Sequence, residues 1–156
     1  MSALTLEAVE ARVAGRGRAV IDRGMLVATV DADALVPLAT WLKTECAFDL
    51  LLDVTAVDWP REAPRFEVVY HFYSTVHGVR VRVKTRVPAD IPVVATLTTL
   101  YGAARFAERE CHDMYGIVFR GNDDLRPILL YEGFVGHPLR KDYPKDREQP
   151  LVRYRE

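Results

Sequence analysis

Apolar residues recur first at helical spacing and later at strand spacing, and each changeover marks an element boundary. Leu6, Val9 and Val13 follow Thr5, a good N-cap, and precede Gly15 and Gly17, which predicts a short amphipathic helix. Residues 20–21 and 25–30 flank Asp22-Arg23-Gly24 and predict a strand or small hairpin. Asp31 and Asp33 stand where they can cap a second helix reaching about Cys46. Pro37 falls in its first turn, and Leu35, Leu38, Trp41 and Leu42 form its apolar face.

Residues 48–57 are mostly apolar and end at Asp58-Trp59-Pro60, which reads as a largely buried strand. Phe66, Val68, Tyr70 and Phe72 then alternate with other residues. Val79, Val81, Val83 and Val87 alternate with Arg80, Arg82, Lys84 and Arg86. With His77-Gly78 between the two runs, an antiparallel hairpin follows. Residues 93–101 predict a helix despite their threonines, and Gly102 separates it from a second helical piece over residues 103–114. Beyond that, Gly116, Gly121, Pro127, Gly133, Gly136, Pro138, Pro144 and Pro150 interrupt every candidate element.

The expected fold class is α+β: a mainly antiparallel or mixed sheet with helices on one face, plus an extended C-terminal arm. The expected division is a domain over residues 1–120 and an arm over 121–156. The arm predicts loops and one short extended piece near residues 128–131. Its apolar anchors, Leu125, Ile128, Leu129, Leu130, Tyr131, Phe134 and Leu139, argue for a segment ordered against something rather than for disorder.

Composition adds exclusions. The 156 residues suit one core, and a net charge of −1 argues against whole-protein attraction to nucleic acid or an anionic membrane. From Arg140 onward there are six Lys/Arg and four Asp/Glu, so only the tail is mildly basic. Two cysteines, Cys46 and Cys111, are too few for a disulfide framework, and reduced thiols are expected. The first 20 residues lack a signal-peptide h-region, and no apolar run nears the roughly 20 residues that span a bilayer.

The candidate chemistry is thin. Cys111, His112, His137 and Cys46 lack the short paired spacing of zinc or iron–sulfur ligands, so no metal is expected and Cys111 reads as a half-buried thiol. Glu110 and Asp113 share a helix side and could serve a hydrolase, but with Glu108 and Arg109 they fit an ion-pair network for packing or partner contact better. The glycines match neither the P-loop nor GxGxxG, and no cofactor is expected. The basic strand face, Arg80 to Arg86, could serve a free-standing nucleic-acid-binding domain, yet without interleaved exposed aromatics it reads as a solvated face. The segment Gly136-His137-Pro138-Leu139-Arg140-Lys141-Asp142-Tyr143-Pro144 presents several polar heads on a stiffened backbone, as an interface clamp would.

Several separated motifs, taken in order, resemble a known family. They are Leu51-Leu52-Asp53-Val54-Thr55-Ala56-Val57-Asp58-Trp59, Phe66-Glu67-Val68-Val69-Tyr70-His71, Glu108-Arg109-Glu110 with Asp113-Met114-Tyr115-Gly116-Ile117, and the Gly136 to Pro144 run. Together these resemble the thirty-kilodalton-type subunit (the C subunit) of NADH:quinone oxidoreductase, respiratory complex I. The resemblance implies a non-catalytic subunit of the peripheral arm on the cytoplasmic face of the bacterial inner membrane, without flavin, cluster or catalytic residue. Implied partners are the forty-nine-kilodalton-type large subunit (the D subunit), which helps form the quinone pocket, and neighbouring iron–sulfur subunits. Implied partner-binding positions are Glu108, Arg109, Glu110 and Asp113 at a demanding turn, and His137, Arg140, Lys141 and Asp142 in the arm. Related subunits of membrane-bound hydrogenases and ferredoxin-fed complexes share these motifs. After Gly121 the family commonly has His-Pro-Asp-Leu-Arg-Arg, whereas this chain has Asn122-Asp123-Asp124-Leu125-Arg126-Pro127. Nothing before Met25 carries a family signature.

Overall fold

The computed structural model describes residues 4–146 and 149; expectations for the remaining arm residues, Pro150 among them, lie outside the described residues. Helix α1 (Leu6–Val13) is capped by the Thr5 hydroxyl, which accepts the Ala8 N–H at 3.2 Å. A hairpin follows, β1 (Gly17–Asp22) and β2 (Met25–Val30), then α2 (Leu35–Thr44), β3 (Leu50–Asp58), β4 (Phe66–Ser74) and β5 (Val79–Val87). The five strands form one mixed sheet in the order β1-β2-β5-β4-β3, antiparallel except where β2 runs parallel to β5.

Register explains the core. Ala28, Val83, Tyr70 and Val54 lie side by side across four strands, and Leu26, Val81 and Phe72 form the neighbouring row. All seven are buried. Because side chains alternate faces along a strand, these rows put Phe66, Val68, Tyr70 and Phe72 of β4 and Val81, Val83 and Val87 of β5 on one face, where Val9, Leu35, Leu38 and Leu42 of the helices complete the core. The opposite face is polar. There Lys84 and Arg86 reach Glu67 across the strands at 2.8 and 3.4 Å, and Arg86 also pairs with Glu62 at 2.8 Å. Two of the four cations on the basic strand face, Lys84 and Arg86, are therefore paired with carboxylates.

Four local expectations change. Residues 93–101 are not a helix: Val93–Ala95 form β6, paired parallel with β7 (Val118–Arg120), and a turn closes Tyr101 N–H on the Leu97 carbonyl. The run of β-branched side chains, stiff at χ1, favours the extended backbone. Helix α2 starts at Leu35 after Ala34, without a side-chain cap, because the chain first turns so that the Ala34 N–H donates to the Asp31 carbonyl. Strand β3 is an edge strand with a bulge between Leu51 and Asp53, and Leu50 and Leu52 are exposed, so it is buried on alternate residues only. Cys111, on helix α3 (Ala104–Tyr115), is fully rather than half buried, and desolvation pushes its thiol pKa up.

Two buried tyrosines differ in how their hydroxyls are satisfied. Tyr101 donates to the Phe48 carbonyl at 2.9 Å, while the buried Tyr70 hydroxyl has no hydrogen-bond partner among the described residues. An unsatisfied buried polar group costs about 1–3 kcal/mol. Tyr101→Phe should therefore lower stability by about 1–3 kcal/mol and Tyr70→Phe should raise it by about 1 kcal/mol, opposite signs that urea denaturation of the two variants would read.

Candidate partner-docking surface

The site is built on α3. A helix leaves its last four carbonyls without intrahelical donors, and here each finds one. The Gly116 N–H, in left-handed backbone at φ 72°, caps the His112 carbonyl at 2.7 Å. The next three are satisfied from more than twenty residues downstream. His137 Nδ1 lies 2.9 Å from the Asp113 carbonyl, Leu139 N–H donates to the Met114 carbonyl at 3.2 Å, and Arg140 Nε donates to that of Tyr115 at 2.5 Å. The guanidinium also places a cation at the negative end of the helix dipole.

Residues 121–146 thus form a strap folded back over their own domain, without helix or strand. The Asp113 side chain provides its second fastening. Its Oδ2 accepts the N–H groups of Ile128, Leu129 and Leu130 at 3.1, 3.0 and 2.9 Å, so the expected extended piece is instead bent around a carboxylate. Burial alone would raise the Asp113 pKa, but the three donors outweigh it and hold it below the ordinary range. A third fastening joins the strap to the β3–β4 connection. Asp58, buried, accepts Arg65 bidentately at 2.6 and 2.7 Å and the Lys141 N–H at 2.7 Å, while Arg65 Nη1 reaches Asp142 at 2.8 Å. The guanidinium carbons of Arg65 and Arg140 each lie 5.0 Å from the centre of the buried Phe66 ring.

The eight residues expected to meet a partner are placed as follows. Glu108 is fully buried, its Oε1 accepting the Leu97 N–H at 2.8 Å and its Oε2 accepting the Thr96 hydroxyl at 2.6 Å and Asn122 Nδ2 at 3.0 Å. Its part in any contact is to hold the α3–β6–β7 junction. Arg109 donates to the Arg126 and Pro127 carbonyls, both at 3.0 Å, and pairs with Asp124 at 3.5 Å. Glu110 is exposed. Asp113, His137 and Arg140 bond inside the chain, as does the Asp142 carboxylate, while Lys141 contributes its backbone N–H and keeps an exposed side chain. The expected ion-pair network among Glu108, Arg109, Glu110 and Asp113 does not form. Their bonds run outward to the strap and the junction.

Two of the three departures from the resembled pattern, Asn122 and Pro127, find uses. Asn122 supplies the amide donor to Glu108, and Pro127, which lacks an N–H, contributes only its carbonyl to Arg109. Sequence reasoning misses Asp58, Arg65 and the carbonyl-capping role of the α3 end. The local pattern marks Asp58 only as the end of a strand, because its partners lie 7 and 83 residues away.

Gly116 is the tightest point. A Cβ there would sit 2.5 Å from both Arg140 Nη2 and His137 Nε2, on backbone that L residues rarely adopt. Gly116→Ala should therefore release the strap: amide exchange at Leu139 and Lys141 should speed up at least tenfold while the β4 amides keep their protection. Acid should act in the same place. Arg65 lowers the pKa of Asp58 and Asp142, and Asp113 is lowered too, so their contribution is present above the ordinary 3.8 and lost as pH falls through the lowered values. Burial raises Glu108 despite its three hydrogen bonds, giving the opposite sign, a contribution lost as pH rises through its raised value. A pH titration of amide shifts should show the strap loosening on acidification while the Leu97 amide at Glu108 holds.

Comparison with known proteins adds the following. Residues 28–149 match the family described as respiratory-chain NADH dehydrogenase, 30 Kd subunit. The chain is 45% identical over 146 residues to the C subunit of NADH-quinone oxidoreductase from Methylorubrum extorquens, covering 89% of this chain and 66% of that protein. It thus spans slightly less than two thirds of that relative's length. Among solved structures, a trypsin-resistant fragment of Nqo5 (1–134) matches with TM-score 0.69 and 29% identity, covering 76% of this chain and 97% of the fragment. A chain of the membrane-bound sulfane sulfur reductase, an archaeal respiratory membrane complex, matches with TM-score 0.78 and 31% identity over 96% of this chain and 94% of its own.

Proposed function

Because this chain belongs to the respiratory-chain NADH dehydrogenase 30 Kd subunit family, we propose that it is a structural subunit of a proton-pumping NADH:quinone oxidoreductase. In this reading it carries no active site and supports the quinone-site subunit while electrons pass from NADH to quinone. Its partners are the large D subunit, of the forty-nine-kilodalton type, and the neighbouring iron–sulfur subunits of the peripheral arm. It lies on the cytoplasmic face of the bacterial inner membrane and meets the membrane only through the complex. Among the described residues no helix is long and apolar enough to cross a membrane.

One observation carries this reading: the strap is fixed at three places, the α3 carbonyls, the Asp113 carboxylate and Asp58, by hydrogen bonds within the chain. Such rigidity suits a surface that must keep one shape for a partner, since docking then orders little more of the chain. Residues 1–120 act as the platform and residues 121 onward as the docking element. A second reading is favoured by the sulfane sulfur reductase match: the equivalent subunit of a related membrane-bound complex fed by another donor.

Co-expression with the large D subunit should yield a heterodimer that survives gel filtration, and deleting residues 136–156 should weaken it at least tenfold. Specific interfaces bury about 1,600 Å² in total, an area the strap and its platform can supply. Full binding by the truncated chain would remove the strap from the interface; failure of the intact chain to co-purify would remove the reading. The subunits that accompany the native protein distinguish the two complexes.

A further inference from the structure

Strand β1 is an edge of the five-stranded sheet, and the hairpin it belongs to decides which of its backbone groups are free. Arg23 and Gly24 form the turn with φ 50° and 80°, the two-residue geometry that closes on a hydrogen-bonded pair, here Asp22 and Met25. Backbone groups alternate in direction along an antiparallel strand, so those of Arg18, Val20 and Asp22 serve β2. The bond from the Asp31 N–H to the Arg16 carbonyl, at 2.8 Å, continues the same phase. The N–H and C=O groups of Gly17, Ala19 and Ile21 therefore point away from the sheet, and no strand lies beyond them among the described residues. Such an edge is a template for pairing unless something blunts it. The opposite edge is blunted by the β3 bulge between Leu51 and Asp53. The six residues of β1, Gly-Arg-Ala-Val-Ile-Asp, include no proline and pair with β2 in unbroken register.

The side chains of β1 complement themselves. Val20 and Ile21 are 47% and 55% exposed. Arg18 and Asp22 are exposed as well, and neither is ion-paired among the described residues. By alternation, Arg18, Val20 and Asp22 share the open face of the sheet, while Ala19 and Ile21 share the helix side. When a second β1 is laid antiparallel with Val20 opposite Val20, the hydrogen bonds run through Ala19 and Ile21, whose backbone groups are the free ones. The same register sets Arg18 opposite Asp22 of the other copy, twice by symmetry, in pairs of the non-hydrogen-bonded kind where facing side chains come closest. On the helix side Ile21 falls beside Ala19 of the other copy. One register satisfies hydrogen-bond phase, charge and apolar cover together.

We propose that the free chain forms a two-fold symmetric homodimer by antiparallel pairing of β1 with β1, its register set by Arg18 and Asp22. The interface is isologous, and the two sheets become one continuous sheet that ends on both sides in the bulged β3. Association therefore closes at two copies. A second copy is favoured over an unrelated strand because only a copy of β1 carries by necessity the mirrored charges that this register requires. The inference concerns β1 and not the strap, so it stands or falls separately from the subunit reading.

Sedimentation equilibrium of the purified full chain should show a monomer–dimer equilibrium with a dissociation constant below about 1 mM. Arg18→Asp and Asp22→Arg each set like charges opposite one another at two positions, and each alone should raise that constant about tenfold or more. Mixed in equal amounts, the two variants should dimerise about as well as the parent, because each then meets the opposite charge on the other. Ile21→Pro removes an outward N–H that β2 does not use; it should abolish the dimer while circular dichroism shows the fold intact. A chain that stays monomeric up to about 1 mM would overturn the proposal, and so would a dimer undiminished in Ile21→Pro. Single charge variants that dimerise like the parent, or that stay monomeric when mixed, would overturn it too.

Discussion

The end of α3 is the constraint on which the strap of this molecule depends. A helix that stops inside a protein must find donors for its last carbonyls, and α3 packs against β3 and β7. One carbonyl is closed by the left-handed Gly116. The other three take their donors from His137, Leu139 and Arg140, so the strap is the cap that lets the helix stop where it does. Asp113 and Asp58 then fix the strap on either side of that cap by accepting backbone N–H groups that a segment without helix or strand could not otherwise satisfy.

The sheet was legible in the sequence because its signal is local and redundant. Alternation in residues 66–73 and 79–87 names both the strands and the face that becomes core, and the His77-Gly78 turn joins them. Helices α1 and α3 were equally plain from their spacing and stop signals. Residues 93–101 misled because threonines and valines at mixed spacing leave period and propensity in conflict, and the pairing that decides it, β6 with β7, joins residues 25 positions apart.

The candidate site was legible in its residues but not in their direction. Glu108, Asp113, His137 and Arg140 were identifiable as a charged group among glycines and prolines, a combination that announces a shaped backbone. Whether such side chains face a partner or their own chain depends on where the strap turns, and that depends on Asp58 and Arg65, whose role no local pattern reveals. In sequence, the apolar residues of the strap all look like anchors for its ordering. Tyr131 and Phe134 serve in that way, while Leu129 and Leu139 stand outside.

The separation along the chain between the fastening partners has a consequence for the order of events during folding. Lys141 meets Asp58 across 83 residues and Asp142 meets Arg65 across 77, and both contacts need the β3–β4 connection and the end of α3 already in place. Long-range contacts of this kind form late and open early. The strap therefore reports on everything before it: a chain whose sheet or helix is misassembled has no seat for residues 137–142 and displays no finished outer face. Completion of the domain and seating of the strap become one event.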